Sequence, residues 1–281
     1  MSRERDPRPE RELTPEEHDR LERGWDAFEA GDLDAAYAEL GRLPRRIGDH
    51  PEVRFLAAAL TLEEGEAVEA LAELEAIAER VGDELLHAYY VALAHLDLAR
   101  FEEAEAEFTA LESSDLDPGL MAYLLAQVRE HLGRLEEAEE DYQAAHAEDP
   151  SAFPLPLRIA RAEFEEILHE AEALLPETIR GRLGEVPVVV EDLPPRALLA
   201  HPEGEGLAPD LLGLFVGRSL REESSFEVPD VPAAIYLYKR NLERACRTRE
   251  ELREEIATTL YHELGHYLGL DEDELEERGI D

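Results

Sequence analysis

"TREELREEIATTLYHELGHYL", Thr248 to Leu268, is the stretch on which the reading of this chain turns. Leu252, Ile256, Leu260, Leu264 and Leu268 recur every four residues, which lays one apolar stripe along an α-helix and predicts that the stripe packs on a sheet. Thr248 followed by Glu251 has the S/T-x-x-E spacing of a capping box, so the helix starts there. His262 and His266 are four apart on it. Their imidazoles project from one face on adjacent turns, close enough to hold a single Zn²⁺ at about 2.0–2.1 Å from each nitrogen. Glu263 points away from direct coordination by its place in the turn, yet reaches a water on the metal, where it acts as general base and then carries the proton to the leaving group.

Beyond the helix, Gly265 removes bulk beside the second histidine, and Gly269 can adopt positive φ and turn the chain back. That turn brings Asp271, Glu272 and Asp273 towards the metal. A hydrolytic zinc needs three protein ligands and an open position for water, and the acidic run offers the third. Two other readings fit the same spacing: an acidic helix whose histidines bind nothing, and a metal site without catalysis.

Upstream, "VPVVVEDLPP" (186–195), "LLGLFVGRSL" (211–220) and "AAIYLYKRNL" (233–242) are three strand candidates, preceded by a helical stretch from about Leu157 to Leu183. A loop rich in Pro, Gly and His surrounds 200–209. Pro150, Pro154 and Pro156 forbid a continuous helix and mark a joint, with 151–156 as linker and 157–281 as the C-terminal domain.

Before the joint the texture is Ala, Leu and Glu, and it repeats. "GDLDAAYAEL" at Gly31, "GEAVEALAEL" at Gly65, "ARFEEAEAEF" at Ala99 and "GRLEEAEEDY" at Gly133 start 34 residues apart. Each carries a small residue (Ala36, Ala70, Ala104, Ala138) and then a large one (Leu40, Leu74, Phe108, Tyr142). Another small residue precedes each alanine by twelve: Gly24, Ala58, Ala92, Ala126. This pattern over 14–150 resembles the tetratricopeptide repeat, whose small positions let the two helices of a hairpin approach closely. The resemblance implies four helical hairpins stacked into an all-α solenoid that binds a peptide or protein, with residues 1–13 as a disordered tail.

At 281 residues, two domains is the working expectation. With 69 acids against 28 Lys plus Arg the formal charge is −41, which repels phosphate backbones and anionic lipid and favours basic partners and cations. Nucleic acid and membrane are therefore not expected as partners. No window approaches the ~18 apolar residues of a bilayer span and no apolar signal-peptide region opens the chain, which suits a cytoplasmic protein. Cys246 is the only cysteine, so no intrachain disulfide can form.

The C-terminal half is similar to the bacterial minimal zincin-like metallopeptidase family. "LLPETIRGRLGEVPVVVED", "LLGLFVGRSL", "IYLYKRNLERA" and "EELREEIATTLYHELGHYLGLDEDELEERG" carry the likeness in order, from about Ile159 to Gly279. It implies a small α+β domain with one zinc per chain on His262, His266 and Glu272, and with Glu263 catalytic. Glu272 stands where the family usually has Asp, so Asp273 stays as the alternative ligand. Hydrolysis of a peptide bond is the activity implied, and a non-catalytic zinc-binding adaptor is the rival. The methionines are Met1 and Met121, which leaves no Met-turn beneath the metal. A peptide is therefore expected to be oriented by added-strand pairing with "AAIYLYK", with Tyr236, Tyr238, Tyr261 and Tyr267 as candidates to stabilise an oxyanion.

Overall fold

A computed structural model of the chain describes residues 12–199, 207–217, 233–270 and 274–275. It is mostly helical, with a small sheet in the C-terminal part, and it divides into two compact units between Leu116 and Asp117. No described helix is long and apolar enough to cross a membrane.

The first unit holds α1 (Pro15–Glu29), α2 (Leu33–Gly41), α3 (Pro51–Glu63), α4 (Ala67–Ile77), α5 (Glu84–Asp97) and α6 (Phe101–Leu111), which pack as three successive hairpins. Thr14 and Glu17 form a reciprocal capping box at the start of α1. Leu13 packs into the first hairpin's core, so order begins inside the stretch expected to be a tail. Ala36, Ala70 and Ala104 are fully buried. A side chain at Gly24 would put its Cβ 2.6 Å from Leu56 Cδ2, so the small positions are where helices touch.

Each hairpin turn is closed by a left-handed residue, at Gly31, Gly65 and Ala99 with φ of 75°, 85° and 53°. In each the following amide bonds a carbonyl five residues back, as in Asp32 to Ala27, Glu66 to Thr61 and Arg100 to His95, which is a Schellman closure. Ala99 carries a Cβ in a region that suits glycine. Nothing surrounds the Cβ position of Gly65, so Gly65→Ala should lower stability by about 1 kcal/mol through backbone strain alone. Ala99→Gly should raise it by a few tenths, lost methyl burial offsetting part of the relief. Thermal unfolding of the two variants checks the opposite signs.

The second unit opens with the hairpin α7 (Pro118–His131) and α8 (Leu135–Glu148). Its turn residue Gly133 repeats the left-handed geometry, and Ala126 and Ala138 are fully buried. Phe153, in the stretch read as a linker, packs on this hairpin: its ring lies 5.6 Å from that of Tyr123, and its carbonyl 2.9 Å from His146 Nδ1.

Then follow α9 (Arg161–Glu172), α10 (Glu177–Leu183), β1 (Val188–Glu191), α11 (Arg196–Leu199), β2 (Gly213–Val216), β3 (Ala234–Tyr238), α12 (Lys239–Ala245) and α13 (Arg249–Leu268). The single helix expected over 157–183 is two, because Pro176 lacks an amide hydrogen and sits at the break. The third strand candidate is strand only to Tyr238, where α12 takes over. Strand order is β1-β3-β2, with β1 parallel and β2 antiparallel to β3. The core joins Phe164, Ile167 and Ala171 of α9 to Val190, Ile235 and Leu237 of the sheet and to the stripe of α13.

Glu130 of α7 is 2% exposed and carries three guanidinium groups. Arg158, Arg240 and Arg244 donate to its carboxylate at 3.0, 2.6 and 3.4 Å, and the Tyr142 hydroxyl does so at 2.9 Å. Its neighbour His131 is pushed down to about 4 by burial and by Arg244, with Arg196 adding to the effect. A neutral native histidine whose unfolded pKa is near 6.5 contributes no pH dependence above that value. Below it the unfolded chain takes up the proton first, and stability falls until pH passes about 4. His131→Gln should therefore lose less stability than wild type between pH 7.5 and 4.5, by up to about 3 kcal/mol, in chemical denaturation at the two pH values.

Candidate metal centre

Helix α13 begins where the sequence indicated: Thr248 Oγ1 accepts from the Glu251 amide at 3.1 Å. The return bond differs, since Glu251 accepts from the Arg247 amide at 2.7 Å and leaves the capping box displaced by one residue. Leu252, Ile256, Leu260 and Leu264 are fully buried, and Leu268 partly so. That fixes the helix's rotation. His262 and His266 stand two residues off the stripe, on the partly exposed side.

The two rings converge. His262 Nε2 and His266 Nε2 are 2.9 Å apart, with ring centroids at 4.6 Å and planes at 80°. Two nitrogens each about 2.0–2.1 Å from a tetrahedral Zn²⁺ would be about 3.3 Å apart, so the pair fits a cation after opening by roughly 0.4 Å. His266 Nδ1 lies 3.3 Å from the Leu270 carbonyl. A hydrogen on Nδ1 donated there makes Nε2 the acceptor nitrogen, the one that could coordinate, which is the usual second bond of a ligand histidine.

Gly269 makes that bond possible. At φ 85° it ends α13 in a Schellman turn, with Gly269 N bonding His266 O at 2.9 Å and Leu270 N bonding Gly265 O at 3.0 Å. Gly265 has a different use from the expected clearance beside the histidine: a Cβ there would lie 2.3 Å from Leu275 Cδ2. Leu270 and Leu275 form a small cluster with Tyr261. Asp271, Glu272 and Asp273 lie outside the described residues. Among the described residues no third His, Cys, Asp or Glu joins the pair.

Glu263 is 6% exposed, and its Oε2 accepts from the Phe215 amide of β2 at 2.5 Å. Strand and helix meet closely because Gly213 has no side chain: a Cβ would lie 2.5 Å from Thr259 Cγ2 and 3.3 Å from Glu263 Cγ. A cleft of about 210 Å³ opens beside them, lined by Leu211, Gly213, Glu255, Thr258, His262 and Glu263. The sequence reading missed this strand–helix seam. An isolated glycine inside a strand pattern signals a close backbone approach, and Gly213 was that signal.

Two expectations are corrected. β3 lies between β1 and β2 and is hydrogen-bonded on both sides, so "AAIYLYK" has no free edge on which to add a peptide. Tyr238 is buried, and burial with Glu191 nearby pushes its hydroxyl up to about 12, while the Tyr267 hydroxyl donates to Glu185 at 3.2 Å. Neither tyrosine is available to an oxyanion. Cys246 is buried as well, its thiol pushed up to about 12 by burial, which makes it inert.

Residues 183–280 match the profile of a family described as zincin-like metallopeptidase. The match takes in β1, β2, β3, α12 and α13, hence both histidines and Glu263. No curated protein matches the chain.

If Gly213 is what lets Glu263 reach the strand, Gly213→Ala should cost about 1–3 kcal/mol by overpacking. Thr259→Ser removes the methyl group it strikes, so the double variant should recover part of that loss; a double-mutant cycle in thermal unfolding measures the coupling.

Proposed function

We propose that the C-terminal domain is a zinc-dependent peptidase, with His262, His266 and Glu272 as metal ligands and Glu263 as general base. The observation that carries this is the meeting of two Nε2 atoms at 2.9 Å beside a buried glutamate that a strand amide holds at the rim of a cleft. The family match over 183–280 supports the same chemistry. Glu272 is assigned from its spacing, ten residues after His262. One zinc ion per chain, when bound, would lower the pKa of water and polarise a carbonyl. Glu263 then needs only one oxygen to take the proton of the attacking water, because Phe215 orients the other. The same carboxyl group passes that proton to the leaving amine.

In this reading the helical hairpins over 14–150 are tetratricopeptide-like repeats that recruit a basic peptide or protein to the chain. Their support is the 34-residue spacing of the left-handed turns together with fully buried Ala36, Ala70, Ala104 and Ala138.

Protein purified without chelator should carry close to one zinc by elemental analysis. His262→Ala should lose it. Glu263→Gln keeps an acceptor for the Phe215 amide, so it should retain metal and fold while peptide hydrolysis drops at least ~100-fold. Full metal with no turnover in wild type, on a broad peptide mixture, would instead leave the adaptor reading.

A further inference from the structure

We propose that the first compact unit carries a docking site for a lysine or arginine side chain of a basic peptide, formed by Trp25, Phe28, Tyr89 and Tyr90 and flanked by Glu29 and Glu63. The proposal rests on the recruiting role given above to the hairpins, and says where and by what chemistry they bind.

The rings form a contiguous cluster. Trp25 lies 5.7 Å from Phe28, 5.1 Å from Phe55 and 5.9 Å from Tyr90, and Tyr89 lies 5.4 Å from Tyr90. Phe55 and Tyr90 are buried and form the floor, whereas Trp25, Phe28 and Tyr89 remain partly open. Aromatic faces attract cations most strongly when the cation is partly desolvated, as it would be here.

Two acids stand at helix ends beside this cluster. Glu29 is the last residue of α1 and Glu63 the last of α3, where the helix dipole is already negative, and neither helix has a basic residue in its last turn. Some acids of the unit are ion-paired. Glu39 is met by Arg20, Arg23 and Arg42, and Glu73 by Arg54. Among the described residues no arginine or lysine pairs with Glu29 or Glu63. Their field reaches the rings: burial and Glu63 raise the Tyr89 hydroxyl, and burial, Tyr89, Glu29 and Glu63 raise that of Tyr90. A cation from outside would satisfy both helix ends.

The occupant is a peptide rather than a small cation because an apolar row continues from the rings. Leu86, Tyr89 and Leu93 share one face of α5 and are partly open, spanning about 10 Å at 1.5 Å per residue. Alternating apolar and basic side chains suit that combination.

Trp25 is the only tryptophan, so its emission reports occupancy directly. The full chain is titrated with a peptide alternating leucine and arginine, and with the same peptide carrying citrulline for arginine. Saturable change with the arginine peptide, at least about tenfold tighter than with the citrulline peptide, is expected. Glu29→Gln/Glu63→Gln and Tyr89→Leu should each weaken it about tenfold, while Glu136→Gln, an exposed acid on α8, should change it less than twofold. Equal binding of both peptides, equal loss in Glu136→Gln, or binding of arginine amide as tight as the peptide overturns the site. Peptide binding that survives all site variants overturns it while leaving recruitment intact; no binding of basic, neutral or acidic peptides would sink recruitment as well.

Discussion

Burial of Leu252, Ile256, Leu260 and Leu264 is the constraint on which the C-terminal unit depends. Four fully buried aliphatic side chains contribute about 6–12 kcal/mol of transfer free energy, more than any single polar contact in the unit can oppose. They set the rotation of α13, and at 100° per residue that rotation settles the rest. Glu263 falls on the flank of the stripe, against β2, and the two histidines fall beyond it, with His262 on the wall of the cleft. A two-residue change of phase would bury an imidazole in the aliphatic core and expose a leucine. The core pins the backbone that brings the two ring nitrogens to 2.9 Å, within hydrogen-bond distance of each other.

A second constraint is electrostatic. A chain with 69 acids gathers three of its 28 basic residues around the one carboxylate of Glu130. A buried charge costs several kcal/mol in lost hydration, and three charge-assisted bonds plus the Tyr142 hydroxyl offset it. The result joins α7 to α12, more than a hundred residues apart. Glu243 on α12 works similarly: its Oε1 accepts from the Ile159 amide at 2.8 Å and its backbone carbonyl from the Leu157 amide at 2.9 Å. The segment just after the prolines is thereby clamped to α12. Proline spacing revealed an interruption in helix; it carried no information about what the interrupted segment would pack against.

What could be read in advance was what has a period. The apolar stripe of α13, its Thr248 start, its Gly269 stop and the two histidines all follow from spacing along one helix. The hairpin turns recur with the same period, but the left-handed conformation at Ala99, where the other copies have glycine, was not legible from its residue type. What escaped depends on long-range pairing. Nothing local to "AAIYLYK" shows that it is the central strand, because strand order is decided by residues nearly fifty positions upstream. The strand candidate drawn to Leu242 also runs past Tyr238, where Lys239 and Arg240 take their places in α12 and its ionic contacts. The seam between Gly213 and Thr259 belongs to the same class, being a contact between segments whose sequences are individually unremarked.

That seam bears on how the proposed base works. The Phe215 amide and the Glu263 carboxylate form one hydrogen bond, but each belongs to a different kind of element. Glu263 is fixed to the hydrophobic stripe through α13, and Phe215 is fixed to the sheet through the antiparallel register with Ile235. A displacement of β2 therefore either breaks a charge-assisted bond at a buried carboxylate or pulls the glutamate with it, and the first alternative leaves an acid 6% exposed with one donor fewer. The second is cheaper for a small movement. The position of Glu263 is in this way tied to the position of the strand that borders the cleft.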